Sequence, residues 1–415
     1  MRIVIATAVY YPMVNGVAVF AHNLAAGLAA RGHEVMVLTP SQTKRRYTRM
    51  VDGVKVCYLD STTLKVYPDQ IHSVPKKRQL FYKHGFKVSV FPGHQVRKLL
   101  QEFCPDIVHI QVSDPIGLSV AGWARKAGIP VVTTEHNQPE VLTESLPMLG
   151  LVKKPVNALL SAYFRNRQSK SDYVTMPTRL AIDNLRKGHR ELKIPVEAVS
   201  NGVDLTAFHP GRASAAVYER FGIPRGRPIV LYVGRVDPEK HVGTVIDAFM
   251  QARNKVPAAL LLIVGDGVDK AKLTARVEES GLSGVIKFLG RITGPELSDL
   301  YRLGTVFATA SEIETQGIVL IEAAASGLPL IAVNAGAVAE ICRNNQNGYL
   351  LDVAPRAEIV KNMSTAMEWL LSEPEMQKKF AKRSVELARA HDFNRTLDQF
   401  EAIYQKLTLA KRCKQ

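Results

Sequence analysis

The sequence predicts an α/β protein made of two domains, each built on a doubly wound parallel sheet. Its 415 residues exceed what one hydrophobic core usually supports. Both halves alternate short apolar runs with helical patterns, which is typical of parallel strands covered on both faces. Between the halves, residues 201–211 are rich in turn-forming residues and predict a boundary. We therefore place the domains at residues 1–200 and 201–394, followed by a basic terminal helix at 395–415.

The predicted strands are short runs of mostly apolar residues. In the first domain they lie at residues 3–6, 35–38, 107–110, 131–134, 173–176 and 196–199. In the second domain they lie at residues 229–233, 260–264, 286–289, 306–309 and 330–333. Open parallel sheets bind ligands at the carboxyl ends of their strands, so the segments that directly follow these runs are the candidate sites.

The charge is concentrated in the first half of the chain. Residues 1–200 contain 27 Lys and Arg against 14 Asp and Glu, whereas residues 201–415 contain 27 against 24. Such an excess predicts an anionic partner, either nucleic acid or an anionic lipid surface. No recognised RNA or DNA module accompanies it, which favours lipid.

Two segments of the first domain, residues 76–87 and 146–170, mix Lys and Arg with bulky apolar residues. Segments of this kind can lie in a membrane interface. The alternative is that their apolar residues pack into the domain core while the cations are solvated.

The sequence predicts a cytoplasmic protein that meets a membrane peripherally. It opens on the strand-like residues 2–6 and not on a signal peptide, and no stretch approaches the roughly 20 apolar residues of a spanning helix. Its four cysteines, Cys57, Cys104, Cys342 and Cys413, have no zinc-like spacing and indicate a reducing compartment.

The most informative stretch is residues 311–340, in which two glutamates stand eight positions apart. The apolar run 317–326, followed by Gly327 and Pro329, predicts a helix that begins near Gly317. Glu322 therefore lies within a helix that looks buried, where an ionised carboxylate needs a partner such as a pair of ligand hydroxyls. Glu314 precedes the helix, whose amino-terminal N–H groups suit a phosphate.

Two other interpretations of these glutamates remain open from spacing alone. Glu322 could pair with a structural arginine while Glu314 is merely solvated. A hydrolase pair is disfavoured, because eight mostly helical residues separate the backbones by roughly 10 Å. A retaining glycosidase requires its carboxyl groups about 5 to 5.5 Å apart.

Further candidate residues follow predicted strands. Arg235 and Lys240 share a loop after residues 229–233, where they could grip a diphosphate and stabilise its developing charge. Gly16 precedes a helical pattern and would let backbone N–H groups approach a diphosphate. His136 follows residues 131–134. Each of these residues could instead have a purely structural role, because loop cations, turn glycines and lone histidines are common in proteins.

Together, ETQGIVLIEA, SGLPLIA, AGAVAE and the GR-x4-K loop resemble family 4 of the retaining glycosyltransferases, which have the GT-B fold. The resemblance implies two Rossmann-like domains facing a cleft, with a terminal helix that crosses back to the first domain. It also implies transfer of a sugar from a nucleotide diphosphate, by a front-face route in which the leaving phosphate helps to deprotonate the acceptor. The variant Thr315–Gln316–Gly317 looks like the branch that glycosylates membrane lipids such as diacylglycerol.

The resemblance also assigns roles to residues. It gives catalytic roles to His136, Glu314, Arg235 and Lys240. The implied donor-binding positions are Gly16, Arg235, Lys240, Arg291, Ile292, Glu314, Gln316, Gly317, Ile318, Val319 and Glu322. Asn137 departs from the commoner T-x-H-T form of the family and leaves the acceptor side open.

The expected donor substrate is UDP-glucose, with a lipid acceptor, no cofactor, no nucleic acid and no catalytic metal. No paired-aspartate motif for a metal is present, and no P-loop for an NTPase. The alternatives are a soluble sugar or glycan acceptor, or a nucleotide-sugar-binding protein without turnover.

Overall fold

The computed structural model of the protein describes residues 1–11, 16–64, 86–111, 114–136, 170–187 and 194–412. These residues divide into two units, the first comprising residues 1–200 with 396–415 and the second comprising residues 201–395.

The first unit is built around an eight-stranded sheet in the order β10-β9-β8-β7-β1-β2-β4-β3. Its pairs are parallel except β3 with β4, and β5 pairs separately with β6. The strands are β1 (Arg2–Ala6), β2 (Glu34–Pro40), β3 (Tyr47–Val51), β4 (Val54–Leu59), β5 (Thr62–Leu64), β6 (Phe86–Val88), β7 (Ile107–Ile110), β8 (Val131–Thr134), β9 (Tyr173–Met176) and β10 (Val196–Ala198). Its helices include α1 (Gly16–Ala30), α2 (Gly93–Phe103), α3 (Pro115–Lys126) and α4 (Arg179–Lys187).

The second unit has a six-stranded parallel sheet in the order β13-β12-β11-β14-β15-β16. Its strands are β11 (Ile229–Val233), β12 (Leu260–Val264), β13 (Ile286–Gly290), β14 (Val306–Thr309), β15 (Leu330–Val333) and β16 (Gly348–Leu351). Its helices are α5 (Ala215–Phe221), α6 (Val242–Ala252), α7 (Lys270–Glu279), α8 (Pro295–Leu303), α9 (Ile318–Ala325), α10 (Arg356–Ser372) and α11 (Pro374–Ala388). Counted from β11, the order is 3-2-1-4-5-6, that of the Rossmann fold.

Both faces of the second sheet are covered, as the apolar runs predict. Along β11, Val230 and Tyr232 join an apolar cluster with α6 and α10, while Leu231 and Val233 join a second cluster with α8 and α9. All four side chains are buried. A strand buried on both faces is stabilised by an unbroken apolar sequence, which is why these strands could be predicted from the sequence. The predicted class of two doubly wound parallel-sheet domains is confirmed, and each of the eleven predicted strands is present.

Helix α12 (Phe393–Arg412) ends the described chain, close to the predicted terminal helix. From Thr396 onward it belongs to the first unit. Phe400 and Tyr404 are fully buried, and the Phe400 ring lies 6.1 Å from that of Phe20 on α1. Arg31 donates to Asp398 at 2.7 Å and to Glu401 at 2.6 Å. Apolar packing and ion pairs therefore hold α12 to the first unit.

Candidate functional site

The second sheet has a topological switch point between β11 and β14. Strands added on one side of β11 run in the order β12 then β13, and on the other side in the order β14, β15 and β16. Open α/β sheets bind ligands in the crevice at the carboxyl ends of the strands at such a point. The two loops that meet there are residues 234–240 and 310–317, which contain Arg235, Lys240 and Glu314.

Lys240 and Glu314 are brought into direct contact across this switch point. The Lys240 Nζ donates to Glu314 Oε1 at 2.7 Å, to the Ile313 carbonyl oxygen at 3.1 Å and to Ser311 Oγ at 3.2 Å. The two charged side chains are 16% and 13% exposed. All three ammonium protons of Lys240 thus have an acceptor on the neighbouring loop, which fixes the cation beside the carboxylate.

Arg235 lies at the solvent-exposed side of the same loop. Its guanidinium contacts the Asp237 carboxylate and donates to Glu239 Oε1 at 2.5 Å, and its side chain is 60% exposed. Although burial lowers it, the pKa of Arg235 is held above its usual value by the Asp237 and Glu239 carboxylates. A diphosphate that reaches Arg235 must therefore compete with two carboxylates of its own loop.

Glu322, on α9, is the partly buried carboxylate that the sequence pattern indicates. Its Oε2 accepts a hydrogen bond of 2.7 Å from the hydroxyl of Tyr301, which is fully buried on α8. Burial raises the pKa of Glu322 to about 7, against the opposing effect of the Tyr301 hydrogen bond. The structural partner of Glu322 is thus a tyrosine and not the arginine considered from the sequence.

The start of α9 follows the prediction closely. Gly317 adopts φ +75° immediately before the helix, a left-handed conformation that favours glycine, and a Cβ there would lie 2.9 Å from Leu320 Cδ1. Ile318 and Val319, both partly buried, open the first turn, whose free backbone N–H groups lie at the end of α9 that follows the β14 loop. Gln316 is 4% exposed, and its Oε1 accepts from the Asn201 backbone N–H at 3.2 Å. Its side chain therefore serves at least a structural role.

Three glycines, Gly265, Gly267 and Gly336, allow the backbone to approach the loops of the site closely. None of them was predicted from the sequence to have a role. A Cβ on Gly265 would lie 1.8 Å from the Gly234 carbonyl oxygen, and one on Gly267 would lie 2.3 Å from that of Val236. A Cβ on Gly336 would lie 2.2 Å from the Glu314 carbonyl oxygen. Two sequence patterns could have indicated these glycines, namely G-x-G at residues 265–267 after β12 and A-G-A at residues 335–337 after β15.

Arg291 and Ile292 follow β13, two strands from the switch point. Arg291 is exposed, whereas Ile292 packs partly buried against the apolar cluster beneath the sheet. The structure therefore places them on the same edge of the sheet as Lys240 and Glu314 but at a distance of two strands.

In the first unit, the corresponding switch point lies between β1 and β7. Gly16 begins α1, which follows β1, and His136 follows β8, the neighbour of β7. His136 is 7% exposed, its Nε2 lies 2.8 Å from Gln111 Oε1, and the Phe20 ring meets it edge-on at 5.2 Å. Burial lowers the pKa of His136 to about 4, so the ring is neutral at neutral pH. The roles predicted for Gly16 and His136 stay predictions.

Some sequence-based predictions fall outside the described residues. The two segments that mix basic and apolar residues, 76–87 and 146–170, lie almost entirely outside the described residues, and so do Asn137 and Cys413.

The described cysteines, Cys57, Cys104 and Cys342, are free thiols. No helix among the described residues has the length and apolar character needed to cross a bilayer. Within the same residues, no group of three or more His, Cys, Asp or Glu could hold a metal ion, and metal-free catalysis stays a prediction.

Two family models match the chain, one mainly in the first unit and the other within the second. Residues 14–207 match the model described as Glycosyltransferase Family 4. Residues 216–386, which contain the switch-point loops of the second unit, match the model described as Glycosyl transferases group 1.

Similar proteins align with most of the chain. An alpha-monoglucosyldiacylglycerol synthase of Acholeplasma laidlawii is 27% identical, covering 88% of this chain and 87% of the relative. A GDP-mannose-dependent alpha-mannosyltransferase of Mycolicibacterium smegmatis is 32% identical, covering 85% of each.

Solved structures agree on the fold. A sucrose-phosphate synthase from Thermosynechococcus elongatus superposes with a TM-score of 0.74 at 20% identity over 99% of both chains. HepE of Anabaena, solved with UDP and glucose, superposes with a TM-score of 0.69 at 17% identity over 98% of this chain and 100% of that one. Together with the family models and the relative at 32% identity, these likenesses mean that the chain belongs to the family 4 glycosyltransferases, hexosyl-transferring enzymes with the GT-B fold.

Proposed function

We propose that this glycosyltransferase moves glucose from UDP-glucose, with retention of configuration, to a membrane lipid such as diacylglycerol. The main support for a donor site is the contact between Lys240 and Glu314 at the switch point of the second unit. A cation and a carboxylate held together there suit a ligand with a diphosphate and a sugar at adjacent positions.

In this proposal the diphosphate lies against Lys240, Arg235 and the first turn of α9. Negative charge grows on the leaving nucleotide as the glycosidic bond breaks, and preorganised cations and N–H groups stabilise it at that moment. Lys240 is already positioned by three oxygen acceptors, so little reorganisation is needed when the charge develops. Exposed Arg235 would exchange its carboxylate partners for phosphate oxygens.

The remaining donor contacts are proposed from the sequence resemblance. Glu314 would accept hydrogen bonds from donor-sugar hydroxyls, and Glu322 from the ribose hydroxyls. The base would lie against the turn at Arg291 and Ile292. From the first unit, His136 would contact the hydroxymethyl end of the sugar, and the backbone at Gly16 would approach the diphosphate. The leaving phosphate would help to deprotonate the acceptor, so no protein base is invoked.

A lipid acceptor at the inner face of the cell membrane is supported by charge and by similarity. The first half of the chain carries a net charge of +13, which would draw it to an anionic leaflet. Two similar proteins are named for diacylglycerol glycosylation, from Acholeplasma laidlawii and Streptococcus pneumoniae, at 27% and 26% identity.

A second candidate is mannosyl transfer from GDP-mannose. It is favoured by the 32% identity to the mycobacterial mannosyltransferase, which exceeds the identity to the glucosyltransferases. Glucose and mannose differ by one hydroxyl configuration, and the two donors also differ in base, so the same loops could serve either.

The test is a screen with radiolabelled UDP-glucose and GDP-mannose against vesicles with and without diacylglycerol, followed by chromatography of the lipid extract. We expect a labelled lipid from UDP-glucose that requires diacylglycerol. A product from GDP-mannose alone would establish the second candidate. Label that stays in the aqueous phase on an added sugar would replace the lipid acceptor by a soluble one. Release of no nucleotide under any condition would contradict turnover.

Membrane association is tested separately by sedimentation with vesicles. We expect the protein to pellet with anionic vesicles and to leave the pellet as salt is raised, because exposed charges are screened. Equal binding to neutral vesicles would contradict electrostatic attachment, and binding to neither would contradict the peripheral location.

A further inference from the structure

A buried polar network lies behind His136 in the first unit. Gln111 directly follows β7, and His136 follows β8 one strand away, so both stand at the carboxyl ends of adjacent strands beside the switch point. Gln111 and His109 are fully buried, and His136 is nearly so. Buried polar groups need hydrogen-bond partners, and each of these three side chains has at least one inside the protein.

The direction of the first contact is fixed by chemistry. His136 Nε2 lies 2.8 Å from Gln111 Oε1, and an amide oxygen can only accept a hydrogen bond. Nε2 of His136 must therefore carry the proton. Since burial keeps the ring neutral, Nδ1 is left with a lone pair and can act only as an acceptor.

The Gln111 amide is held in turn by His109. The amide nitrogen faces the His109 ring at 3.3 Å from Nδ1 and 3.2 Å from Nε2. The His109 ring is itself held at both ends, by the Tyr404 hydroxyl at 2.5 Å and by Thr134 Oγ1 at 2.7 Å. Tyr404 lies on α12, so the terminal helix is one end of this network.

We propose that Gln111 is a positioning residue that fixes His136 as its Nε2–H tautomer, so that Nδ1 accepts a hydrogen bond from a hydroxyl of the donor sugar. His109 and Tyr404 hold the Gln111 amide in the orientation that this requires. The inference rests on the proposed contact of His136 with the sugar. It makes His136 selective for a ligand group that donates, which a hydroxyl does and a phosphate or carboxylate oxygen does not.

The first test is independent of activity. NMR of the full-length enzyme labelled with nitrogen-15 at histidine reports which ring nitrogen of His136 carries the proton, once its signals are identified by their loss in His136→Gln. We expect the Nε2–H tautomer in the wild type and a mixture in Gln111→Met, which keeps the side-chain length but removes the acceptor. The same tautomer in both proteins would overturn the control by Gln111.

The second test is a double-mutant cycle. We expect Gln111→Met to lower kcat/KM for the donor by about tenfold, the value of one hydrogen bond, without changing the Kd of free UDP. In a His136→Ala background the same change should have no further effect, because Gln111 acts through His136. Additive effects would overturn the proposal. Gln95→Met, at a partly buried glutamine of the same unit that donates to Asp60, is the matched control and should leave kcat/KM unchanged.

The two tests separate the inference from the proposed function. Full activity of His136→Ala would remove the sugar contact, while the NMR result would still decide whether Gln111 sets the tautomer. If Gln111→Met fails to fold, Tyr404→Phe tests the far end of the network. It should leave the Nε2–H tautomer only partly populated, and an unchanged His136 spectrum would count against the network.

Discussion

Lys240 and Glu314 form an ion pair of 2.7 Å between the loops that follow β11 and β14, at positions 74 residues apart in the chain. Both side chains are less than one-fifth exposed, which strengthens the pair relative to a surface salt bridge. The contact depends on the Rossmann order of the second sheet, since that order makes β11 and β14 neighbours.

Replacing Lys240 should remove both a ligand for the diphosphate and the partner of Glu314. We expect Lys240→Ala to lower kcat by roughly 10²-fold or more, as loss of a preorganised charge does, and to lower unfolding stability because Glu314 is left partly buried and unpaired. Transferase assays and urea unfolding measure the two effects.

The matched control is Lys255→Ala, which removes a lysine that is 76% exposed and lies 3.8 Å from Glu368. It should change neither quantity appreciably, since exposed pairs contribute little. Full activity of Lys240→Ala would exclude the site.

Ionised Glu322 should lower the free energy of unfolding while it strengthens ligand binding. Its pKa in the folded protein, about 7, lies above the ordinary value of 4.5, so its contribution to stability is present below pH 4.5 and is lost as the pH rises through 7. We expect the unfolding free energy of Glu322→Gln to match that of the wild type near pH 4.5 and to exceed it at pH 8 by about 3 kcal/mol. Urea unfolding at the two pH values measures this difference.

The same Glu322→Gln substitution should weaken UDP binding at pH 8 by about tenfold, because a charged acceptor of the ribose hydroxyls becomes neutral. Titration calorimetry provides the measurement. A variant that binds UDP as well as the wild type would remove Glu322 from the nucleotide site, whatever its stability.

Gly336 should be intolerant of any side chain. Its φ is +56°, and an added Cβ would lie 2.2 Å from the Glu314 carbonyl oxygen, which also accepts from the Ala337 N–H at 2.9 Å. We expect Gly336→Ala to displace the Glu314 loop and to abolish most activity. Gly284→Ala is the control, because a Cβ there has nothing within 4 Å, and it should be neutral in both activity and melting temperature.

Strands buried on both faces, such as β11, were predictable from their apolar runs. In the two main sheets the edge strands β10 and β13 were predicted as well, whereas β3, β4 and β16 were not. Residues of β3 are mostly exposed, and Thr48 and Arg49 interrupt its apolar residues, so no apolar run marks them. The usable signal was Asp52–Gly53, both at positive φ (48° and 77°), which is typical of a tight hairpin turn. Strand β16 begins at Gly348, where a Cβ would lie 1.9 Å from the Leu330 carbonyl oxygen, and that close approach is visible only in three dimensions.

The candidate site was predictable to the extent that its residues follow strands. Lys240 and Glu314 were identified from their positions in loops, and the structure joins them. The residues that hold the site residues in place were missed, namely Tyr301 behind Glu322 and Gln111 behind His136. Such partners come from other elements at no fixed sequence spacing, so only the tertiary structure reveals them.

The attachment of helix α12 should depend on pH through Glu401. Its carboxylate lies 2.6 Å from Arg31 Nη1 and 2.7 Å from His33 Nε2. Although burial opposes it, hydrogen bonds from His33 and Arg31 lower the pKa of Glu401 below its usual value. A lowered pKa means that the stabilisation is present above the unfolded-state value of 4.5 and is lost as the pH falls through the folded-state value.

We therefore expect Glu401→Gln to lower the melting temperature at pH 7 and to have no effect once the pH is low enough to protonate the wild-type carboxyl. Asp398→Asn is the matched control, because Asp398 contacts the same Arg31 at 2.7 Å but is 67% exposed, against 20% for Glu401. Solvent screening should leave that variant close to the wild type at both pH values. Equal losses in the two variants at pH 7 would mean that the charge of Arg31, and not the burial of Glu401, determines how strongly α12 is held.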